Sequence, residues 1–336
     1  MGSTVAREPF ASERGWAPSC ELARVRALLK DSGRIGIQPC PAPTLQHPQE
    51  VLIRVVIAGL CRTDLYAARG EIAGPSRLIL GHEFSGIVEE VGAEVEELRP
   101  GQRVTVFPWQ GCGYCEWCAR QLASACPKRQ MLGVHVHGGF AEKVVVSQEM
   151  VYPLPDSMSF QAGAYVEPVA ASLAVLKAGL DPGQRGMIYG KNRIAELTLR
   201  VLKLSGFQQL EVVENPQDYS ENTFDFAVET RAAPEDAAEV MRLLKPGGHW
   251  VVKTRHPRPL QLDLLTLIPK EFRLTAVNYG GFPESMALLQ QADLDLGSLL
   301  GPVHPLEEWP LLFSEAERDE SSKRFLALVD ESVWNP

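Results

Sequence analysis

Short apolar runs broken by turn residues fill the first half of the chain. Longer alanine- and leucine-rich stretches fill much of the second. Residues 25–29 and 50–58 read as strands, the second being the β-branched run EVLIRVVIA, with the proline-rich loop PCPAPTLQHPQ between them. Residues 88–91, 102–107 and 141–146 are further short strands, and PGQ turns the chain before the second of these. Close spacing of short strands predicts a compact, mostly β domain. Near Ser159 the texture changes. FQAGAYVEPVAASLAVLKAG reads as helix with Gly179 as its stop, followed by the strand MIYG, the helix AELTLRVLKLSG ended by Gly206, and the strand LEVVE. That is a strand–helix–strand unit whose strands must run parallel. FDFAVET and HWVVKT are further strands, separated by the helix PEDAAEVMRLLK with Pro246 and Gly247 closing it. The tail returns to strand and helix in VHPLEEW and KRFLALVD, so the first domain is expected to receive the C-terminus back.

A chain of 336 residues is long for one core, and two domains are the default expectation. Its 45% hydrophobic and 22% charged content is ordinary for a soluble globular protein. A net charge of −9 argues against nucleic acid or an anionic membrane as partner. No apolar run approaches a spanning length, and the first twenty-five residues lack the apolar core of a signal peptide.

The densest chemistry lies in GCGYCEWCARQLASACP. Cys112, Cys115, Cys118 and Cys126 are separated by two, two and seven residues. Zinc prefers four tetrahedral ligands, and thiolates on one short loop can close around it unaided. Such a closed site leaves no position for substrate, so its ion would staple a lobe rather than catalyse. Disulfides compete poorly, because Cys20, Cys40 and Cys61 leave an odd total. Iron–sulfur clusters also take four thiolates, but those runs place a proline-flanked fourth cysteine differently. Free thiolates need a reducing compartment, which places the chain in the cytoplasm.

A second ligand set is scattered through the sequence. Cys61 sits in GLCRTDL, His82 and Glu83 in LGHEFSG, and Glu167 in YVEP. One thiolate, one imidazole and one or two carboxylates suit a zinc that keeps an open coordination position. Such an ion polarises a carbonyl or alcohol oxygen and lowers the proton's pKa, which an alcohol needs before losing hydride. Singly, each residue is more often a packed core side chain. Together, CxTD, GHE and EP in that order around a four-cysteine loop make packing alone improbable.

With these motifs the chain resembles the zinc-dependent medium-chain dehydrogenase/reductase family, near the polyol and threonine dehydrogenases, over roughly residues 25 to 330. The resemblance implies a GroES-like, mostly β catalytic domain carrying both zincs, with a Rossmann-like parallel-sheet domain inserted between its parts. It sets an N-terminal arm at 1–24, the catalytic domain at 25–175 and 300–336, and a shortened nucleotide domain at 176–299. It implies Cys61 and His82 as ligands of a catalytic zinc, Glu167 as a carboxylate ligand, and Glu83 approaching the metal or exchanging with its water. Thr63 falls where a hydroxyl relays the substrate proton outward, and Asp64 where a carboxylate holds the ligand histidine by its other ring nitrogen. It further implies a small-molecule substrate and a homodimer or homotetramer.

The cofactor half departs from the family pattern in three places. The dinucleotide fingerprint wants glycine for a tight turn, for close approach to pyrophosphate and for helix–strand packing. Here GKNRIA keeps Gly190 and replaces the last position by Ala195, a mild change. Asn192 stands at the middle position, where its side chain points at the space phosphate oxygens need. Lys191 and Arg193 either rescue anion binding or fill that space. Next, only NPQDYSENT separates Glu214 from Phe224, where the family has a helix, a strand and another helix. Nine extended residues reach about 30 Å, enough to return to the next strand without a helix. Glu214 keeps the place of an acid that holds the ribose hydroxyls of NAD, and Lys323 that of a cation near the pyrophosphate. Finally Lys253 and Thr254 end HWVVKT and Arg255, His256 and Arg258 follow it, where the family lines the nicotinamide pocket with glycine.

Two enzyme readings follow. The first is hydride transfer between a small alcohol or ketone and NAD or NADP. The second is a redox-neutral lyase, isomerase or cyclase on the same scaffold that has lost the cofactor. A non-catalytic scaffold ranks last, since nothing would then keep an open zinc site intact.

Overall fold

A computed structural model describes residues 23–334 apart from 121 and 232, so nearly all of the expected N-terminal arm lies outside the described residues. The chain divides into two compact units. One gathers the described residues up to Ala164 with Val303–Pro310 and the C-terminal strand from Phe325 onward. The other spans 165–302 and 311–324. The division at Ala164/Tyr165 comes earlier than the expected 175. The helix Val166–Leu173 packs on Arg193–Leu204 and Phe282–Leu289, which groups it with the second unit.

The first unit is built on antiparallel strands. Arg24–Asp31 and Arg34–Pro41 form a hairpin whose turn residues Ser32 and Gly33 both take positive φ, and Arg77–Ile79 pairs on the other edge. The second hairpin strand is not anticipated from the sequence. Its run RIGIQPCP is mostly half-buried, alternates only at Ile35 and Ile37 and carries two edge-type prolines, so its strand signal is weak. A second sheet runs Val151–Pro153, Arg103–Val106, Glu83–Val91, Glu50–Gly59 and Lys323–Ala327, with Lys143–Ser147 also pairing Glu50–Gly59. Glu50–Gly59 is almost wholly buried, which is why its sequence reads as a continuous β-branched run. Phe325, Leu326 and Ala327 pair with Gly59, Ala58 and Ile57, so the C-terminus does return to this unit.

The second unit holds five parallel strands in the order Leu210–Val213, Gly186–Tyr189, Phe224–Glu229, Leu244–Val252 and Arg273–Ala276. Both faces are covered. Met187, Tyr189, Phe224 and Trp250 pack in one core, while Ile188, Phe226, Val228 and Val251 pack in the other. A parallel sheet buried on both sides is the architecture expected of connected strand–helix units. Between Val213 and Phe224 the only regular element is the short turn Pro216–Asp218, so the shortened crossing anticipated from NPQDYSENT is present. The last strand, RLTA, escaped the sequence reading because it is short and mostly exposed.

Some element boundaries differ from expectation, and the strand expected at 88–91 begins already at Glu83. The alanine-rich helix is broken into Phe160–Ala164, Val166–Leu173 and the tight turn Ala174–Ala178, with Gly179 at φ +68° ending it. The helix expected over 234–245 is Ala237–Leu243, and Pro246 and Gly247 fall inside the following strand. That strand starts at Leu244 opposite Phe224 and shifts register before His249. No helix among the described residues is long and apolar enough to cross a membrane.

Candidate metal centres and nucleotide turn

Strand register assembles the first candidate centre. Gly59 pairs with Glu83, so the chain leaving one strand and the chain entering the next meet at Cys61 and His82. The Sγ of Cys61, a ring nitrogen of His82 and a carboxylate oxygen of Glu83 lie within 4.8 Å of one another. His82 and Glu83 are buried and Cys61 half-buried. Asp64 organises the group. It sits fully buried on the first turn of the helix Arg62–Arg69. Its Oδ2 accepts the Cys61 N–H at 2.8 Å, and its Oδ1 lies 3.1 Å from both the Gly81 nitrogen and His82 Nδ1. One carboxylate thus ties the cysteine turn to the histidine turn. Burial disfavours a charged imidazole at His82, yet Asp64 and Cys61 carry its pKa well above the ordinary value. In the neutral ring, a proton held at Nδ1 by Asp64 leaves Nε2 for a metal. Gly81 makes the close approach possible, since a Cβ there would lie 2.5 Å from the Phe140 ring and its φ is +93°. Thr63 is half-buried on the same first helical turn as Asp64.

The second centre is the cysteine loop. Cys112, Cys115, Cys118 and Cys126 bring all four sulfurs within 4.8 Å of one another, and none forms a disulfide. Four thiolates each about 2.3 Å from a tetrahedral ion sit about 3.8 Å apart. The Cys112–Cys118 and Cys115–Cys118 sulfurs are 3.9 and 3.6 Å apart. Backbone N–H groups of Cys112 and Lys128 point at the Cys126 sulfur at 3.4 and 3.3 Å, as suits a thiolate acceptor. Desolvation pushes the Cys112 thiol up, but N–H groups of Tyr114 and Cys115 prevail and bring it down to about 6. The donor chemistry of both clusters fits zinc.

Glu167 belongs to the second unit, buried on the first turn of Val166–Leu173, where its carboxylate accepts a hydrogen bond from Tyr279 Oη. Tyr279 lies 112 residues away in sequence, and no local pattern could have paired the two.

The nucleotide turn is less hospitable. Gly190 has φ +124°, the tight turn the fingerprint needs. Asn192, however, caps its own helix. Its Oδ1 accepts from the Ile194 and Ala195 N–H groups, both at 2.9 Å, and its Nδ2 reaches the Thr230 carbonyl and hydroxyl at 3.2 Å. Arg193 N–H donates to the Glu320 carbonyl at 2.8 Å. Glu214 pairs with Lys191 at 2.7 Å on the surface. Lys323 is fully buried at the start of its strand, with its N–H on the Leu299 carbonyl. At the next strand ends, Glu229 accepts the N–H groups of Lys253 and Thr254 at 2.9 and 2.7 Å. Lys253 Nζ lies 3.4 Å from the hydroxyls of Ser172 and Thr198. Burial lowers the Lys253 ammonium to about 8 despite Glu229 and Glu167, and burial likewise raises the Glu229 carboxyl. In this arrangement the three leading N–H groups of the helix, which face the place of a dinucleotide diphosphate in such turns, are bonded to the chain's own acceptors.

The model of the alcohol dehydrogenase GroES-like domain matches residues 47–156, the stretch that contains both donor clusters of the first unit. A sorbitol dehydrogenase of Bacillus subtilis is 33% identical over 186 residues, covering 54% of this chain and 52% of that protein. A D-xylulose reductase A of Aspergillus niger is 24% identical over 344 residues, covering 90% and 96%. The crystal structure of galactitol-1-phosphate dehydrogenase from Escherichia coli superposes with a TM-score of 0.81 at 22% identity, covering 90% of this chain and 99% of that one. Domain match, relatives and fold agree: residues 47–156 are an alcohol dehydrogenase GroES-like domain, and the chain is similar over most of its length to dehydrogenases and reductases of polyols.

Proposed function

We propose that this protein, a zinc-containing enzyme of alcohol dehydrogenase type, interconverts a small polyol-like alcohol and its ketone. The carrying observation is the convergence of Cys61, His82 and Glu83 on one point, organised by Asp64. The relatives are named for sorbitol, D-xylulose and galactitol 1-phosphate, which favours a polyhydroxylated substrate and an oxidoreductase over the redox-neutral reading. A zinc held by Cys61, His82 and the Glu83 carboxylate would supply Lewis-acid polarisation of the substrate oxygen. Asp64 fixes the His82 tautomer and holds the cysteine turn in place. Thr63, beside them on the helix, is the hydroxyl suited to pass the alcohol's proton outward. The four-cysteine loop is proposed to hold a second, structural zinc. NAD or NADP is proposed as the hydride partner by likeness to the relatives. A cytoplasmic setting and a homodimer or homotetramer accompany the reading.

The test is a panel of sugar alcohols and ketoses given to zinc-loaded protein with each nicotinamide nucleotide at saturating concentration, followed by nucleotide absorbance. Turnover on at least one pair, lost in Cys61→Ser, is expected. Inactivity across the panel would remove the proposal.

A further inference from the structure

Open parallel sheets bind ligands outside the carboxyl ends of their strands, and a helix beginning there offers its first N–H groups to an anion. The helix Arg193–Leu204 starts at such a place, one strand end from Gly190. All three of its leading N–H groups already have acceptors from the chain itself: the Glu320 carbonyl for Arg193, and Asn192 Oδ1 for Ile194 and Ala195. The Asn192 carboxamide is anchored at its other end as well, by Thr230, and both residues are buried. A Cβ at Gly190 would lie 2.7 Å from the Thr230 hydroxyl, so the space beside the turn is filled by the same pair. The neighbouring strand ends are closed in the same manner, through Glu229 on the Lys253 and Thr254 N–H groups.

We infer that Asn192 is an internal competitor for the dinucleotide. Its carboxamide occupies the anion site at the helix N-terminus, and a nicotinamide nucleotide binds only when that side chain leaves. This rests on the dehydrogenase reading and names the residue that limits cofactor affinity within it. Asparagine is also among the commonest helix caps, and a purely structural cap would stabilise the helix without touching nucleotide affinity. The two roles separate by measurement.

NADH is titrated by calorimetry into intact zinc-loaded wild type, Asn192→Gly and Asn192→Asp. Glycine at a cap costs the helix little, so the glycine variant keeps its melting temperature within a few degrees. It is expected to bind NADH about tenfold tighter, equivalent to about 1.4 kcal/mol. Aspartate keeps the cap but sets a negative charge against the diphosphate, and should bind more weakly than wild type. Equal affinity in all three overturns the inference, as does wild-type binding tighter than the glycine variant. If the glycine variant gains affinity but no variant turns over any alcohol, the inference stands and the assigned reaction fails. If wild type turns over alcohols with an affinity equal to that of the glycine variant, the reaction stands and the inference fails.

Discussion

In the first unit, Cys61, His82 and Glu83 present a thiol, an imidazole and a carboxylate to a common point, and four more sulfurs gather in the cysteine loop. In the second, the N–H groups of Arg193, Ile194 and Ala195 and the carboxylate of Glu229 are turned inward onto the chain's own atoms. Both units keep the backbone of their architecture. The difference lies in whether polar groups are left converging on a ligand or satisfied locally. Convergence of several ionisable groups is costly without something to bind, so it points to a ligand. Local satisfaction stabilises the fold whether or not a ligand comes.

The largest effect expected on this contrast is Cys115→Ser. Structural zinc contributes folding free energy outright, on the order of 10 kcal/mol in small zinc peptides. The variant should lose one zinc per chain and melt at a markedly lower temperature, and unchanged melting would show that the loop does not depend on metal. Cys61→Ser comes next: activity abolished, one zinc fewer, melting close to wild type. Collapse of the fold in that variant would mean the two centres have been assigned the wrong roles. Asp64→Asn keeps the size of the side chain but weakens its hold on His82, and removal of a metal ligand's partner typically lowers metal affinity about 10- to 100-fold. Competition with a chelator should release one zinc early and leave the other untouched.

A smaller effect belongs to the second unit, where polar groups serve the fold. The carboxylate of Asp225 bridges the Arg185 N–H and Lys245, both at under 3 Å. Desolvation works against its charge, but these partners hold its pKa below the ordinary 3.8. A depressed carboxylate contributes stability above its unfolded pKa and loses it as pH falls through the folded one. Asp225→Asn should therefore destabilise by about 1 kcal/mol or less at neutral pH. The gap to wild type should close as pH drops below 3.8, as read from denaturant unfolding at several pH values. A gap independent of pH would show that charge is not what the residue supplies.

Legibility in sequence followed how local each signal was. The cysteine loop closes within fifteen residues, so spacing alone marks it as a candidate metal site. Cys61 and the adjacent pair His82 and Glu83 are readable because they sit in two short motifs, yet the convergence of those motifs depends on the Gly59–Glu83 register, which only the folded sheet supplies. The missing helices after Glu214 could be counted from the loop length. Asn192 is visibly out of place in the sequence, but its bond to Thr230 is not, because Thr230 lies just past a strand end 38 residues on. The edge strands Arg34–Pro41 and Arg273–Ala276 escaped notice because half-exposed strands carry little apolar pattern.

The contrast between the units is tested most directly by a native mass spectrum of gently purified chain equilibrated with micromolar NADH. The account predicts a chain mass plus two zinc ions with no nucleotide, and a nucleotide adduct appearing in Asn192→Gly. A wild-type chain carrying one zinc or none, or carrying NADH at that concentration, would contradict it.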